Sequence, residues 1–320
     1  MKESPSMPLD PQAKALLDEF AAAGAPPPWE VPLADLRAGF DELSAALAAP
    51  APEVARVDDR TVPGPHGDVP VRIYWPDSDG GGALPVLVHF HGGGLVLLGL
   101  DAYDPICKML CAGAGCIVVG VGYRKAPENK FPKAADDSWA ATRWVAENCA
   151  ELGGDACRIA VAGDSAGGGL AAGVAHRAKA AGGPALAFQL LVYPLTDFAG
   201  DTDSYRTFGE DHLITAEMMN WYAACYLNDE EEEDDPLASP LRFTDFAGLP
   251  PAYILTAGCD PLHDEGVAYA EKLREAGVPV QHRDYPDQIH VFWSFGARID
   301  AAAGAHAEAC AALRRAFGTE

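Results

Sequence analysis

Short apolar runs rich in β-branched residues alternate along most of the chain with longer amphipathic stretches. This alternation is typical of repeated units in which a strand, a crossover helix and a parallel strand follow one another. It predicts strands at 71–75, 85–90, 116–123, 158–162, 187–192, 252–256 and 280–285. It predicts helices at 134–151, 166–181, 265–276 and 291–317. The predicted architecture is α/β, with helices around a mostly parallel sheet whose first strands commonly run antiparallel.

Two segments interrupt this alternation. Residues 1–50 hold helical patterns at 11–23 and 33–48, and residues 197–240 are rich in aromatic side chains and Met. Both segments could cover the carboxyl edge of the sheet, where open α/β folds bind their ligands, although aromatic residues also pack simply against a core. We therefore predict N-terminal cap helices in 1–50, a catalytic part in 51–196 and 241–320, and a cap insertion in 197–240.

Charge narrows the range of partners. The chain has 23 basic and 47 acidic residues, a formal net charge of −24 and a sequence pI near 4.6. Such a surface repels phosphate backbones and anionic lipids, so we expect neither nucleic-acid nor membrane partners. The acidic run 229–235 offers no fixed ligand geometry and is expected to be a solvated loop. The sequence shows neither a transmembrane segment nor an apolar stretch resembling a secretion signal near residue 1, which predicts a cytoplasmic protein.

The eight cysteines are expected to be reduced core residues. They include no CxxC pair, and they lie in apolar stretches that resemble helices and strands. In a chain without an export signal this pattern argues against a disulfide framework and against a zinc site. No metal is therefore expected.

The segment GDSAG at 163–167 provides a candidate nucleophile. It follows the predicted strand 158–162 and opens the predicted helix 166–181, which is the context that a nucleophile elbow requires. Ser165 would lie at the tip of a strained turn whose flanking glycines avoid clashes with neighbouring backbone. A chance GxSxG in a Gly-rich chain is the alternative, but the strand before it and the helix after it favour a nucleophile.

A serine nucleophile needs donors for the oxyanion that forms on the substrate. The glycines of HGGG at 91–94 follow the predicted strand 85–90, so their N–H groups could point into a cavity. The N–H groups of Gly92, Gly93 and Ala166 are the predicted oxyanion hole. A flexible turn or a phosphate loop is the alternative, although no GK[ST] follows the glycines.

A base and an orienting acid are expected later in the chain, because hydrolases with this elbow place nucleophile, acid and His in that order. Asp260 follows the predicted strand 252–256, and His290 follows the predicted strand 280–285. Both would lie at the same sheet edge as Ser165. The competing histidines are His89, His176, His212, His263, His282 and His306. The competing acids are Asp264, Glu265 and Asp287.

Together these motifs resemble the bacterial hormone-sensitive-lipase-like esterases. The resemblance runs from PLDPQ at 8–12 to the C-terminal helix and rests on HGGG at 91–94, YRKAPE at 123–128, GDSAGG at 163–168, DPLHDEG at 260–266 and IH at 289–290. It implies an α/β-hydrolase fold of about eight strands with a helical cap built from the N-terminus and an insertion after the sixth strand. It also implies hydrolysis of short- to medium-chain carboxylic esters without a cofactor.

The same resemblance assigns roles to individual residues. Ser165 becomes the nucleophile, Asp260 the acid and His290 the base, while His91 and Glu128 hold the glycine loop and neighbouring turns. The chain departs from the family pattern at two positions. Lys125 replaces the Leu of YRLAPE, and Val291 stands where a Gly often follows the catalytic His. Either departure can reshape the pocket or its loops without removing a catalytic group.

Substrate choice depends on the cap. The residues that could line an acyl or alcohol pocket are Trp29, Phe40, Phe208, Met218, Trp221 and Tyr222. A soluble small-molecule ester is the expected partner, and a homodimer is an expected assembly because related esterases often dimerise. An amidase or arylformamidase using the same triad is a second interpretation. A non-catalytic small-molecule receptor is a third, against which the presence of His290 argues.

Overall fold

An eight-stranded sheet forms the centre of the molecule. The computed structural model describes residues 9–78 and 80–320, and in these residues the strands follow the spatial order β1-β2-β4-β3-β5-β6-β7-β8. They are β1 Arg56–Val62, β2 Val69–Trp75, β3 Leu84–Phe90, β4 Ile117–Val121, β5 Gly154–Asp164, β6 Phe188–Val192, β7 Ala252–Cys259 and β8 Val280–Ile289. Strand β2 runs antiparallel to β1 and β4, and all other neighbours are parallel. The predicted mostly parallel sheet is confirmed.

Helices precede, connect and follow the strands. Those of the described residues are α1 Pro11–Ala23, α2 Leu33–Leu47, α3 Asp104–Ala114, α4 Lys133–Glu147, α5 Ala166–Ala181, α6 Asp203–Phe208, α7 Ala216–Tyr226, α8 His263–Glu275 and α9 Ala301–Phe317. Helices α1 and α2 lie before the sheet, and α6 and α7 lie in the segment 197–240 between β6 and β7. Residues 1–8 of the predicted N-terminal segment are outside the described residues. None of the helices described combines the length and the apolar character needed to cross a membrane.

Three elements differ from the sequence predictions. Strand β1 was not predicted, because its RVDDRTV sequence is mostly exposed and lacks an apolar run. Helix α3 was not predicted either, although its buried residues recur every three or four positions. The predicted helix 291–317 is too long, because Val291 adopts a left-handed backbone and a 3-10 turn occupies Phe292–Ser294. Regular helix begins only at Ala301.

Apolar side chains cover both faces of the sheet. In β3, Val86 and Val88 contribute to the hydrophobic core on one face, whereas Leu87 contributes to the core on the other. This division follows from the alternation of side chains along a strand. Helices α4, α5 and α8 pack on the first face, and α3 and α9 pack on the second. Because β5, β7 and β8 run parallel, their carboxyl ends lie at the same edge of the sheet, where the candidate site is found.

The cysteines follow the prediction with two exceptions. All eight are free thiols, and six of them are buried: Cys107, Cys111, Cys116, Cys149, Cys259 and Cys310. Cys157 is exposed and Cys225 is half-buried, so these two are not core residues. Cys157 belongs to the first part of β5, whose side chains are largely exposed.

The acidic run is ordered by its own side chains. A 3-10 turn covers Glu230–Asp234, and the carboxylate of Asp229 accepts hydrogen bonds from the N–H groups of Glu231 and Glu232. Arg242 pairs with Asp234 at 2.8 Å. The segment is thus a short capped turn at the surface, where a loop was predicted.

Candidate active site

Ser165 stands at a sharp turn between β5 and α5. Its φ of 54° and ψ of −125° are rare for a residue with a side chain, and such strain typically marks functional sites. The turn is held by the main chain beside it: the Ser165 N–H donates to Val192 O at 2.9 Å, and the Ser165 carbonyl accepts from Leu195 N at 2.9 Å. The sequence prediction of a strand, a tight turn and a helix is met here.

Close backbone contact explains one glycine of the elbow. A Cβ atom on Gly167 would lie 2.0 Å from the carbonyl oxygen of Phe90, which is closer than any side chain permits. Phe90 is the last residue of β3, so the start of α5 rests directly on the neighbouring strand. Gly167 therefore allows α5 to approach β3 closely, and this approach fixes the position of Ser165 relative to the edge of the sheet.

The three predicted catalytic side chains form one hydrogen-bonded line. His290 Nε2 lies 2.9 Å from Ser165 Oγ, and His290 Nδ1 lies 2.6 Å from Asp260 Oδ2. Asp260 is fully buried, and its other carboxylate oxygen accepts the Leu262 N–H at 2.9 Å. A carboxylate accepts only, so Asp260 selects the tautomer with hydrogen on Nδ1. Nε2 is then free to accept the hydroxyl proton of Ser165.

Sheet topology brings Asp260 and His290 together although 30 residues separate them. Asp260 follows β7 and His290 follows β8, and these parallel neighbours are still paired at Cys259 and Ile289. The ring of Tyr193 packs against the His290 imidazole with ring centres 4.5 Å apart. His290 is only 3% exposed, so its position is fixed by contacts on several sides.

The competing histidines have other partners. His89 lies near the Cys107 thiol, His176 stacks on Phe243, and His306 binds the Trp293 carbonyl. His212 contacts the Glu210 carbonyl, His263 pairs with Asp264 and Asp284, and His282 binds Thr256.

The competing acids are also engaged elsewhere. Glu265 accepts the N–H groups of Thr196 and Asp197, and Asp264 accepts the Ser204 N–H. The side chain of Asp287 accepts from its neighbour Gln288. Of the candidates weighed from the sequence, the structure places Asp260 and His290 against Ser165.

One predicted oxyanion donor is wrong. The Gly92 N–H donates to Asp164 Oδ1 at 3.2 Å, so it is not available to a substrate. In the part of the chain described, the N–H groups of Gly93 and Gly94 have no protein acceptor, and both residues line the cavity with Ser165. The Ala166 N–H is also free, because it is one of the first N–H groups of α5.

Asp164 belongs to the site although no sequence pattern singled it out. Besides the Gly92 N–H, its carboxylate accepts the Tyr103 hydroxyl at 2.7 Å. Burial raises the pKa of Asp164 to about 6, although the hydrogen bond from Tyr103 opposes that rise. A polar residue between Gly163 and Ser165, at the buried end of a central strand, was the available signal. Asp164 connects the strand that carries the nucleophile to the glycine loop.

A cavity of about 830 Å³ lies above Ser165 and His290. Of the six predicted pocket residues, four line it: Trp29, Phe40, Met218 and Tyr222. Met218 and Tyr222 are four residues apart and therefore share one face of α7.

The two other predictions are wrong. Trp221 lies about 100° around α7 from Tyr222 and packs, half-buried, on the core. Phe208 ends α6 and contacts the His212 ring edge-on, with ring centres 5.2 Å apart.

Several other apolar residues of the cavity wall were not predicted. They are Phe20, Leu36, Leu43, Leu98, Leu213, Ile214, Val291 and Phe295. Leu36 and Leu43 share a helix face with the predicted Phe40, and that spacing could have revealed them. Leu98 and Val291 could not have been found from periodicity, because neither belongs to a helix or strand and both have a positive φ.

Comparison with known proteins gives the family. Residues 87–294 match the family described as alpha/beta hydrolase fold. The chain is an α/β hydrolase. The carboxylesterase NlhH of Mycobacterium tuberculosis is 43% identical over 322 aligned positions, which cover 97% of this chain and 96% of the relative. The ethyl acetate hydrolase of Pseudomonas putida is 38% identical and aligns with 92% of this chain and 95% of its own length.

Solved structures agree with these relatives. The crystal structure of an alpha/beta hydrolase enzyme from the metagenome of Lake Arreo in Spain has a TM-score of 0.94 at 39% identity. It covers 97% of this chain and 99% of the other. The resemblance to hormone-sensitive-lipase-like esterases is thus confirmed, and this α/β hydrolase belongs among the carboxylic ester hydrolases.

Arg37 connects helix α2 of this α/β hydrolase to the loop that carries the glycines. Its guanidinium forms two hydrogen bonds of 2.8 Å with the carboxylate of Glu128. It also donates to the carbonyls of Val96 at 2.9 Å and Ala126 at 2.8 Å. The Arg37 hydrogen bonds lower the pKa of Glu128 to about 2. Glu128 therefore supports the glycine loop through Arg37.

His91 has the structural position that the resemblance implied. Its ring stacks on Tyr123 with ring centres 4.1 Å apart, and Nδ1 lies 2.7 Å from the Gly92 carbonyl. Burial lowers the pKa of His91 to about 3, so the imidazole is neutral and Nδ1 can donate a single hydrogen to that carbonyl. Lys125, the first departure from the family pattern, donates to the carbonyl of Leu98 on the cavity wall.

Proposed function

We propose that the protein is a serine carboxylesterase that hydrolyses short- to medium-chain esters through Ser165, His290 and Asp260. One observation carries this proposal: Ser165 Oγ, His290 and Asp260 are joined by hydrogen bonds of 2.9 and 2.6 Å at the floor of a largely apolar cavity. Such a line supplies an activated nucleophile, its base and the group that orients the base.

In the first half of the reaction, Ser165 Oγ attacks the ester carbonyl while His290 Nε2 takes the hydroxyl proton. The buried carboxylate of Asp260 stabilises the imidazolium that results. The carbonyl oxygen becomes an oxyanion, for which we propose the N–H groups of Gly93, Gly94 and Ala166 as donors. Each such donor lowers the barrier by roughly 3 kcal/mol in comparable hydrolases.

The first half ends when His290 Nε2 gives this proton to the alcohol oxygen as its bond to the carbonyl carbon breaks, which leaves an acyl-enzyme on Ser165. In the second half, His290 takes a proton from a water molecule as that water attacks the acyl carbonyl, and the same donors bind the second oxyanion. The bond between the carbonyl carbon and Ser165 Oγ then breaks, His290 returns the proton to Oγ, and the carboxylic acid leaves. Both halves of the reaction need one group that first accepts and then donates a proton, and His290 Nε2 is the atom proposed for this role.

The cavity supports small apolar substrates. A volume of about 830 Å³ is within the range of sites that enclose a small ligand. The resemblance to hormone-sensitive-lipase-like esterases implies a preference for acyl chains of about two to eight carbons, and a cavity of this size can hold them. The named activity of the Pseudomonas putida relative, hydrolysis of ethyl acetate, agrees with the short end of this range.

The segments 1–50 and 197–240 are proposed to act as the cap of the site. Of the residues described, α1, α2 and α7 each contribute side chains to the cavity, among them Phe20, Phe40 and Met218. The sheet supplies the triad. The cap would therefore select substrates by their shape, and the residues at the edge of the sheet would perform the reaction.

Hydrolysis of a p-nitrophenyl ester series from acetate to palmitate tests the proposal. We expect wild-type turnover to be highest for short chains and to fall by several orders of magnitude in Ser165→Ala. Circular dichroism and a melting curve confirm that the variant is folded. Unchanged turnover in Ser165→Ala would remove Ser165 from its role, and preferential turnover of long chains would contradict the proposed substrate range.

A further inference from the structure

Val291, which follows the proposed base, has an unusual backbone. Its φ is 68° and its ψ is 0°, in the left-handed region that favours glycine. A β-branched residue is a true outlier there, because its two γ-methyl groups crowd the main chain. Such a conformation persists only where the surroundings enforce it.

The neighbouring residues enforce this turn. The Val291 carbonyl accepts the Ser294 N–H at 2.9 Å, and the side chains of Phe292 and Trp293 are buried completely or nearly so. On the other side, Ile289 is still paired with β7 through Cys259. A glycine would adopt the same turn at no steric cost. The valine side chain is therefore not needed for the backbone path.

The Val291 side chain lies between the hydrophobic core of the second sheet face and the cavity. Val291 lines the cavity together with Ser165 and His290, and it is half-buried. His290 Nε2 has to reach the oxygen of the leaving alcohol in order to protonate it, so the alcohol lies on the side of the cavity nearest His290. The residue bonded to His290 is well placed to bound that side.

We propose that Val291 is a specificity-determining residue that limits the size of the alcohol part of the ester. This inference rests on the proposed esterase function. The valine tolerates an unfavourable backbone while its methyl groups narrow the leaving-group side of the cavity. Branched and cyclic aliphatic alcohols are disfavoured relative to methanol by contact with those methyl groups, and the acyl part is bounded elsewhere.

Three variants separate side-chain size from backbone strain. Val291→Ala removes both methyl groups but keeps a Cβ in the left-handed region. Val291→Gly removes the methyl groups and also relieves the backbone strain. Val291→Ile enlarges the side chain by one methylene. The matched control is Val57→Ala, because Val57 is an exposed valine of β1 that is 40% accessible. Each protein is assayed with methyl, isopropyl and cyclohexyl acetate, and with p-nitrophenyl acetate, isobutyrate and pivalate.

We expect the ratio of kcat/KM for cyclohexyl over methyl acetate to rise about tenfold or more in the Ala and Gly variants and to fall in the Ile variant. The ratios within the p-nitrophenyl series should change less than about threefold, because the alcohol is constant there. The Gly variant should melt at a higher temperature than the Ala variant, since only glycine relieves the strain.

Alcohol ratios that stay at the wild-type value in the Ala and Gly variants, or a shift confined to the acyl series, would overturn the proposal. Wild-type turnover of p-nitrophenyl acetate that disappears in Ser165→Ala establishes the reaction separately, so these outcomes would count against Val291 alone. A folded wild-type protein that hydrolyses no ester would overturn both proposals.

Discussion

Replacing Arg37 should cost more stability than replacing its partner Glu128. Arg37→Met removes the ion pair with Glu128 and also the hydrogen bonds to the carbonyls of Val96 and Ala126. The Glu128 side chain is 53% exposed, so the ion pair itself is worth about 1 kcal/mol at most. The two hydrogen bonds to these carbonyls add about 2 kcal/mol, at the typical net value of about 1 kcal/mol for each bond. We therefore expect losses of about 3 kcal/mol for Arg37→Met and about 1 kcal/mol for Glu128→Gln.

Calorimetric melting measures this asymmetry. An unfolding entropy of about 2.1 cal/mol/K per residue gives about 0.7 kcal/mol/K for 320 residues. The expected decreases in Tm are about 4–5 °C for Arg37→Met and about 1.5 °C for Glu128→Gln. Arg143→Met is the control, because Arg143 pairs with Glu147 on an exposed helix face and should lower Tm by less than about 1 °C.

A double variant completes the test of Arg37. If the ion pair is the only interaction that the two side chains share, Arg37→Met with Glu128→Gln should melt close to Arg37→Met alone. The reasoning would be refuted if Glu128→Gln lowered Tm as much as Arg37→Met does. That result would mean that the carbonyls of Val96 and Ala126 gain nothing from the guanidinium.

Two further predictions concern polar groups around the triad. Asp164→Ala should lower kcat for p-nitrophenyl acetate about tenfold or more with little change in KM, because the Gly92 N–H loses its acceptor and the donors beside it shift. The effect of Asp164→Asn on kcat should be intermediate. An effect on KM alone would contradict this prediction. Hydrogen bonds with Asp284, then Asp264, raise the pKa of His263 to about 9. The resulting stabilisation of the folded state is present below about pH 6.5 and is lost as the pH rises towards 9. The difference in Tm between wild type and His263→Gln should therefore shrink over that range. A difference that stays constant would contradict the assignment.

Sequence patterns predicted the centre of the fold better than its periphery. Strand β3 is buried on both faces, so its sequence is a nearly continuous run of apolar residues, which is typical of parallel sheets. Strand β1 carries exposed charges, and its place in the sheet depends on pairing with β2, which no local pattern reveals. The start of α9 was misplaced because buried apolar residues such as Phe292 and Ile299 occur in turns as well as in helices.

The same distinction applies to the site. Ser165, Asp260 and His290 could be chosen from the sequence because each follows a strand of one parallel sheet, so topology alone directs them to one edge. The oxyanion donors could not be chosen in this way. Every glycine of HGGG carries an N–H group, and only the contact with Asp164 shows that the Gly92 N–H is occupied.

Strained residues are concentrated around the nucleophile, and each is held by a neighbouring element. In the residues described, five of the six non-glycine residues with positive φ are near the site: Leu95, Leu98, Ser165, Tyr193 and Val291. The Leu95 carbonyl is bound by the Ala126 N–H, and the Tyr193 N–H donates to Leu255 O at 2.6 Å. These contacts come from strand ends and adjacent loops, whose own positions are fixed by the buried sheet.

The arrangement explains how an unfavourable backbone can persist in a folded enzyme. Strain at one residue is offset by hydrogen bonds to elements that would form without it. Ser165 illustrates the benefit, because its left-handed φ lifts the hydroxyl towards His290 while Val192 and Leu195 hold its main chain. A substitution that relieves strain at such a position gains stability and loses the side chain that the strain had placed in the cavity. Stability and substrate selection are therefore expected to oppose each other at Val291.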